Sequence, residues 1–174
     1  MAGAIFSRVR LACVCLAVAA AAAGTGALVH AAPPNPGTFT PEADLGGVEI
    51  GMKKADVTSL WGERHGVCRE CFRTTWYFNY RPFTPQGVGV VFERNRVAHV
   101  FTVWRPAGWR TAQGLRLGAP ASEISKTYGP MDRRSCTLYY ALVRPGVRAQ
   151  TVFYVFRDRL WGFGLTIPDA SPCL

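Results

Sequence analysis

The densest group of reactive side chains in the sequence is His65-Gly66-Val67-Cys68-Arg69-Glu70-Cys71. Two cysteines at this spacing run thiol–disulfide chemistry when a helix N-terminus follows the first one and stabilises its thiolate. Here Phe72, Thr74, Thr75, Trp76 and Tyr77 follow, aromatic and β-branched residues that favour a strand. Arg64 and Arg69 are nevertheless close enough in sequence to lower a thiolate pKa. His65, Cys68 and Cys71 also supply three metal ligands at short spacing, with Cys136 available as a fourth. Structural zinc sites usually show two paired clusters, whereas this chain has one. The favoured reading is structural: Cys68, Cys71, Cys136 and Cys173 form two disulfides. Four cysteines allow three connectivities. A local clip, Cys68–Cys71, with Cys136–Cys173 tying down the C-terminal tail is preferred, and a bridge from Cys68 or Cys71 to Cys136 stays open.

Other catalytic signatures are missing from the sequence. There is no Gly-x-Ser-x-Gly elbow, no His-Glu-x-x-His and no phosphate-binding glycine loop. His99 lies in an alternating segment and reads as a half-buried strand residue. Asp56 and Glu123 are explained by the helix starts described below. A non-enzymatic protein with no cofactor is the expectation. Binding is better represented, because the chain has ten Phe, six Tyr and five Trp. Alternation places Trp76, Phe78 and Tyr80 on one strand face and Tyr77 on the other. Trp76, Tyr80, Arg81 and Trp104 are the candidate contact residues, within a rim that includes Arg73, Arg105 and Arg144.

The elements that must position these residues begin with the N-terminus. Residues 1–10 carry Arg8 and Arg10 and no acid, and an uncharged apolar run follows from Leu11 to Val29. Val29-His30-Ala31 then offers small residues at a cleavage site, so residues 1–31 read as a secretory signal peptide. An uncleaved anchor is the alternative, and only then would the protein touch a membrane. Residues 32–45 read as a Pro-rich extended linker. Of the 174 residues, 49% are hydrophobic and 18% charged, with 20 Lys+Arg against 11 Asp+Glu. That composition is globular and excludes a disordered chain. The positive charge would suit nucleic acid, but export argues against such a partner.

After the linker the chain repeats itself. Gly47-Val48-Glu49-Ile50-Gly51 returns as Gly114-Leu115-Arg116-Leu117-Gly118, and Leu60-Trp61-Gly62 returns as Thr127-Tyr128-Gly129 at the same offset. Each unit should hold a short helix, with Val57, Leu60 and Trp61 on the packing face of the first. Gly62 and Gly129 would end these helices. Asp56 and Glu123 stand in their first turns, while Lys53 and Pro120 occupy poor N-cap positions. Three strands are expected after each helix: Phe72–Tyr80, Val88–Phe92 and Val97–Trp104, then Thr137–Val143, Gln150–Phe156 and Leu160–Ile167. The last two of each set flank a tight charged turn and form a hairpin. Repeat 1 spans 46–107 and repeat 2 spans 108–174.

This pattern of Gly51 through Gly62, Gly118 through Gly129 and two Val-Phe hairpins resembles the β-lactamase inhibitor protein family. It is similar as well to the SmpA/OmlA (BamE-like) assembly lipoproteins. The resemblance covers about residues 46–167. It implies an α+β fold of two tandem repeats, each a short helix plus a three-stranded antiparallel meander. The two would share one sheet with the helices on one face, leaving the other for a partner. The expected function is an exported, secreted or envelope-located module that binds or inhibits a secreted or envelope protein. Two alternatives accompany it: a redox or metal-handling envelope protein using His65, Cys68 and Cys71, and an envelope assembly factor.

Overall fold

The computed structural model describes residues 33–34, 36–68, 70–78, 87–104 and 108–174. Helices α1 (Lys54–Trp61) and α2 (Ala121–Tyr128) fall between the paired glycines. Neither has a side-chain hydroxyl cap, but the Asp56 carboxylate accepts the Lys53 backbone N–H at 3.1 Å. This satisfies a donor that the helix start leaves open. Each helix ends at a glycine with φ of 81° (Gly62) or 79° (Gly129), a region that side-chain-bearing residues avoid. Two-turn helices are unstable alone, so they persist by burying Val57, Trp61 and Ile124. Leu60, expected on the packing face, is 43% exposed, because the buried stripe of α1 is only one residue wide, Val57 to Trp61.

The strands gather into one antiparallel sheet of eight, in the order β3-β4-β5-β6-β11-β10-β9-β8. Its centre is built from two hairpins. One is β5 (Gly87–Glu93) with β6 (Arg96–Val103), and the other is β10 (Gln150–Phe156) with β11 (Arg159–Thr166). Their two-residue turns, Arg94-Asn95 and Arg157-Asp158, have positive φ at both positions. That is the turn whose twist matches the strands it joins. Strands β6 and β11 pair from Gly162↔Val103 to Thr166↔His99 and unite the hairpins. Outside them lie β4 (Thr74–Phe78) and β9 (Tyr140–Arg144), then the edges β3 (Gly66–Cys68) and β8 (Asp132–Ser135). Each helix is tied to its hairpin by the same pair of bonds. Gly51 N–H reaches Val97 O at 2.8 Å while Arg96 Nη1 reaches Gly51 O at 2.9 Å. Gly118 N–H reaches Leu160 O at 2.7 Å while Arg159 Nη1 reaches Gly118 O at 3.0 Å.

These observations correct the expected fold class. The protein is mostly β: strands hold 45% of the described residues and helices 12%, so an α+β arrangement of helix-plus-three-strand units is not what forms. Edges β3 and β8 were not foreseen. β3 is three residues long, and β8 reads Asp-Arg-Arg-Ser, without an apolar residue to show alternation. The expected first strand begins later, leaving Phe72 fully exposed. The segment expected as a linker is structured too. β1 (Thr38–Thr40) pairs with β2 (Asp44–Leu45) and with β7 (Arg110–Thr111) in a second, three-stranded sheet. Phe39 and Leu45 are completely buried there, and Phe39 stacks on Phe163 at 4.9 Å. The signal segment, Tyr80, Arg81 and Arg105 lie outside the described residues. No helix among the described residues is long and apolar enough to cross a membrane.

The large sheet has an apolar cluster on each face. Phe78, Val90, Phe153 and Phe163 meet the helices and Phe39 in the main core. The opposite face holds Phe101, Val103, Val152 and Tyr154, nearly all inaccessible. Glycines make room for these rings. Gly89 and Gly164 flank Phe101 across the ladder, and a Cβ on Gly89 would stand 2.3 Å from the Phe101 ring. The face expected to remain open for a partner therefore carries a buried apolar cluster of its own.

Candidate functional site

Cys68 is bonded to Cys71 and Cys136 to Cys173, with Cα separations of 5.6 and 5.8 Å. The first disulfide closes the tip between β3 and β4, with a strand rather than a helix after it. Both sulfurs of the proposed metal set are thereby occupied. Among the described residues no group of three or more His, Cys, Asp or Glu is arranged to hold a metal. His65 lies flat against Trp76 with centroids 3.9 Å apart, and burial lowers its pKa more than Glu63 raises it.

The sequence-derived contact residues separate. Trp76 is half-buried, packs toward the main core and meets Phe92 edge-on at 4.6 Å, so it belongs to the interior rather than a contact surface. Arg73 faces Glu93 at 3.8 Å, and Arg144 pairs with Glu42 at 3.0 Å. Trp104 is the open aromatic among the described candidates, at 51% exposure. His99 has a side-chain partner: its Nε2 lies 2.7 Å from the Tyr154 hydroxyl. Burial, helped by Arg73, brings the His99 pKa down to about 3, and burial raises Tyr154 well above its ordinary value. A neutral imidazole and a neutral phenol thus share one hydrogen bond, which ties together two strands two places apart in the sheet.

Where Trp104 ends β6, the ends of β11, β10 and β8 also arrive, and between them runs an apolar groove of about 680 Å³. Three local devices build it. Trp104 is held at φ 57°, outside the range a bulky residue prefers, and its N–H bonds to Trp161 O at 2.7 Å. A β-bulge between Tyr154 and Val155 leaves Trp161 as the extra residue and turns it away from the main core that Leu160 and Phe163 enter. The Cys136–Cys173 bond holds the tail across the loop after β8, where Leu174 bonds the Tyr139 hydroxyl. Leu138 is 80% exposed and Leu174 46%, completing the lining. A second cavity of about 420 Å³ adjoins, shares Trp104, Phe156 and Trp161, and adds Arg157 and Arg159. Sequence reading singled out Trp104 but missed Leu138, Tyr139, Trp161 and Leu174. A bulge and a disulfide-held tail, not strand periodicity, bring these four together.

No family model and no curated protein sequence matches the chain. Among solved structures it is similar to an extracellular protein containing an SCP domain from Bacillus anthracis, with a TM-score of 0.51 at 12% identity. That match covers 68% of this chain and 44% of the other, so this chain spans less than half of that protein. The DUF4309 family protein YjgB of Bacillus subtilis follows at 0.49 and 17% identity, covering 66% of this chain and 78% of the other. YfeY of Escherichia coli stands at 0.44 and 12%, covering 74% and 95%. No β-lactamase inhibitor protein or SmpA/OmlA-type lipoprotein is among these matches. The likeness to the first of these is one of fold alone. The two disulfides are what fit an extracytoplasmic protein.

Proposed function

We propose that the protein is an exported, non-enzymatic binding module that holds a secreted or envelope protein in the groove at Trp104. The observation that carries this reading is the groove itself. An indole held in a strained backbone conformation stands half exposed beside Leu138 and Leu174, where folding alone would favour covering or replacing all three. Backbone strain and exposed apolar side chains in one place are typical of contact sites. Aromatic anchors in such grooves supply most of the energy of protein recognition.

The compartment follows from the basic and apolar N-terminal run with its small-residue cleavage site, supported by two disulfides. The mature chain would begin at Ala32 and be released. To test both statements, a photo-cross-linking residue is placed at Leu138 in the exported protein, with and without Trp104→Gly. A defined cross-linked partner that disappears with Trp104→Gly supports the reading. No partner, or one indifferent to Trp104, overturns it. Intact mass of the protein in the medium checks the Ala32 start.

A further inference from the structure

We infer that the groove takes an acidic segment of the partner, a short extended peptide with an apolar anchor bordered by carboxylates. This rests on the reading of the groove as the binding surface. The lining changes character along its length. Leu138, Tyr139 and Leu174 close one end, and Arg157 and Arg159 stand at the other, with the Trp104, Phe156 and Trp161 rings continuous between them. Among the described residues both charged side chains in the lining are arginines, and no Asp or Glu side chain lines either part; the Leu174 carboxylate stands at the end away from the arginines, where the Tyr139 hydroxyl bonds it. Asp158, the acid of the intervening turn, is outside the lining and is held at its backbone by Ala121 N–H at 2.9 Å.

The cationic end is built rather than incidental. The Arg157 guanidinium sits 5.1 Å over the Phe156 ring, which is itself part of the wall. Arg159 is braced by its bond to Gly118 O, and a guanidinium has five N–H donors in a rigid fork. A purely apolar ligand would leave both arginines of the lining unanswered. The net charge of +9, all but the Arg8 and Arg10 contributions of which stay with residues 32–174, draws acidic partners in from a distance.

The test is calorimetric titration of the mature protein with two capped hexapeptides, each having two phenylalanines flanked either by glutamates or by lysines. The glutamate peptide should bind at least ten-fold more tightly, and its affinity should fall at high salt. Arg157→Gln should reduce that preference several-fold, and Arg157→Gln with Arg159→Gln should abolish it. Trp104→Gly should remove binding of both peptides. Equal binding of the two peptides, still lost in Trp104→Gly, overturns the acidic preference and leaves the groove as the binding surface. Binding of neither peptide, or binding that survives Trp104→Gly, overturns both readings.

Discussion

Trp104, just past the end of β6, carries a conformational cost that no residue of that strand carries, because a left-handed backbone forces Cβ against the following carbonyl. Replacing it with glycine removes that cost, about 1–2 kcal/mol, and takes away a half-exposed side chain. Trp104→Gly should therefore unfold at the same or a slightly higher denaturant concentration while losing partner binding; a clear drop in stability would show that the indole serves the fold. His99 makes the opposite argument. Its folded-state pKa, about 3, is below the value of about 6.5 in an unfolded chain. The folded protein thus refuses a proton that the unfolded chain accepts. This contribution is fully present above about pH 6.5 and is lost as pH falls toward 3. Between pH 7 and 5 the loss should approach about 2 kcal/mol, and urea unfolding of His99→Gln should lack that component. His65 is present in both proteins, so its own shift cancels in the comparison.

At the scale of elements, the sheet depends on glycines that let large rings lie along it. A Cβ on Gly164 would stand 2.3 Å from Val100 O, a backbone atom that cannot swing aside, and 2.9 Å from Phe101. Gly164→Ala should cost about 1–3 kcal/mol or more, measured by chemical denaturation. The disulfides should differ in weight. Cys136–Cys173 spans 37 positions and Cys68–Cys71 only 3. By loop-closure entropy the first stabilises by about 4 kcal/mol and the second by about 2 kcal/mol. Alanine pairs at each disulfide should rank in that order, and loss of the long one should also open the groove, since its tail forms a wall. The edge strands are protected differently: β8 carries Asp132, Arg133 and Arg134 in the open, charges that discourage pairing with another chain.

Across the whole molecule, the small sheet β1-β2-β7 is what turns two hairpins and two short helices into a single core. Phe39 enters between Phe153 and Phe163, with centroid distances of 5.9 and 4.9 Å. Phe39→Ala should cost about 3–5 kcal/mol, a large part of the stability of a small domain. A chain starting at Gly46 should lose cooperative unfolding altogether, measured by calorimetry against the chain starting at Ala32. If that shorter chain unfolded as sharply as the longer one, the segment would be dispensable.

What the sequence determined was local. The spacing of Gly51 to Gly62 and of Gly118 to Gly129 marked both helices, since only glycine ends them at those φ values. The polar pairs Arg94-Asn95 and Arg157-Asp158 marked both hairpins, because neighbouring residues decide such turns. The tertiary structure decided what each side chain would meet. Phe39 reads as a lone aromatic in a Pro-rich stretch until Phe163, far along the chain, stacks against it. Trp76 looked like a surface anchor by alternation, but its face of β4 is the one the main core covers. Trp161 sits in a regular alternation on paper, and a one-residue bulge sends it to the other side of the sheet. Periodicity is set by the backbone within a few residues, whereas burial is set by which distant segments fill the remaining space, and only the packed molecule specifies that.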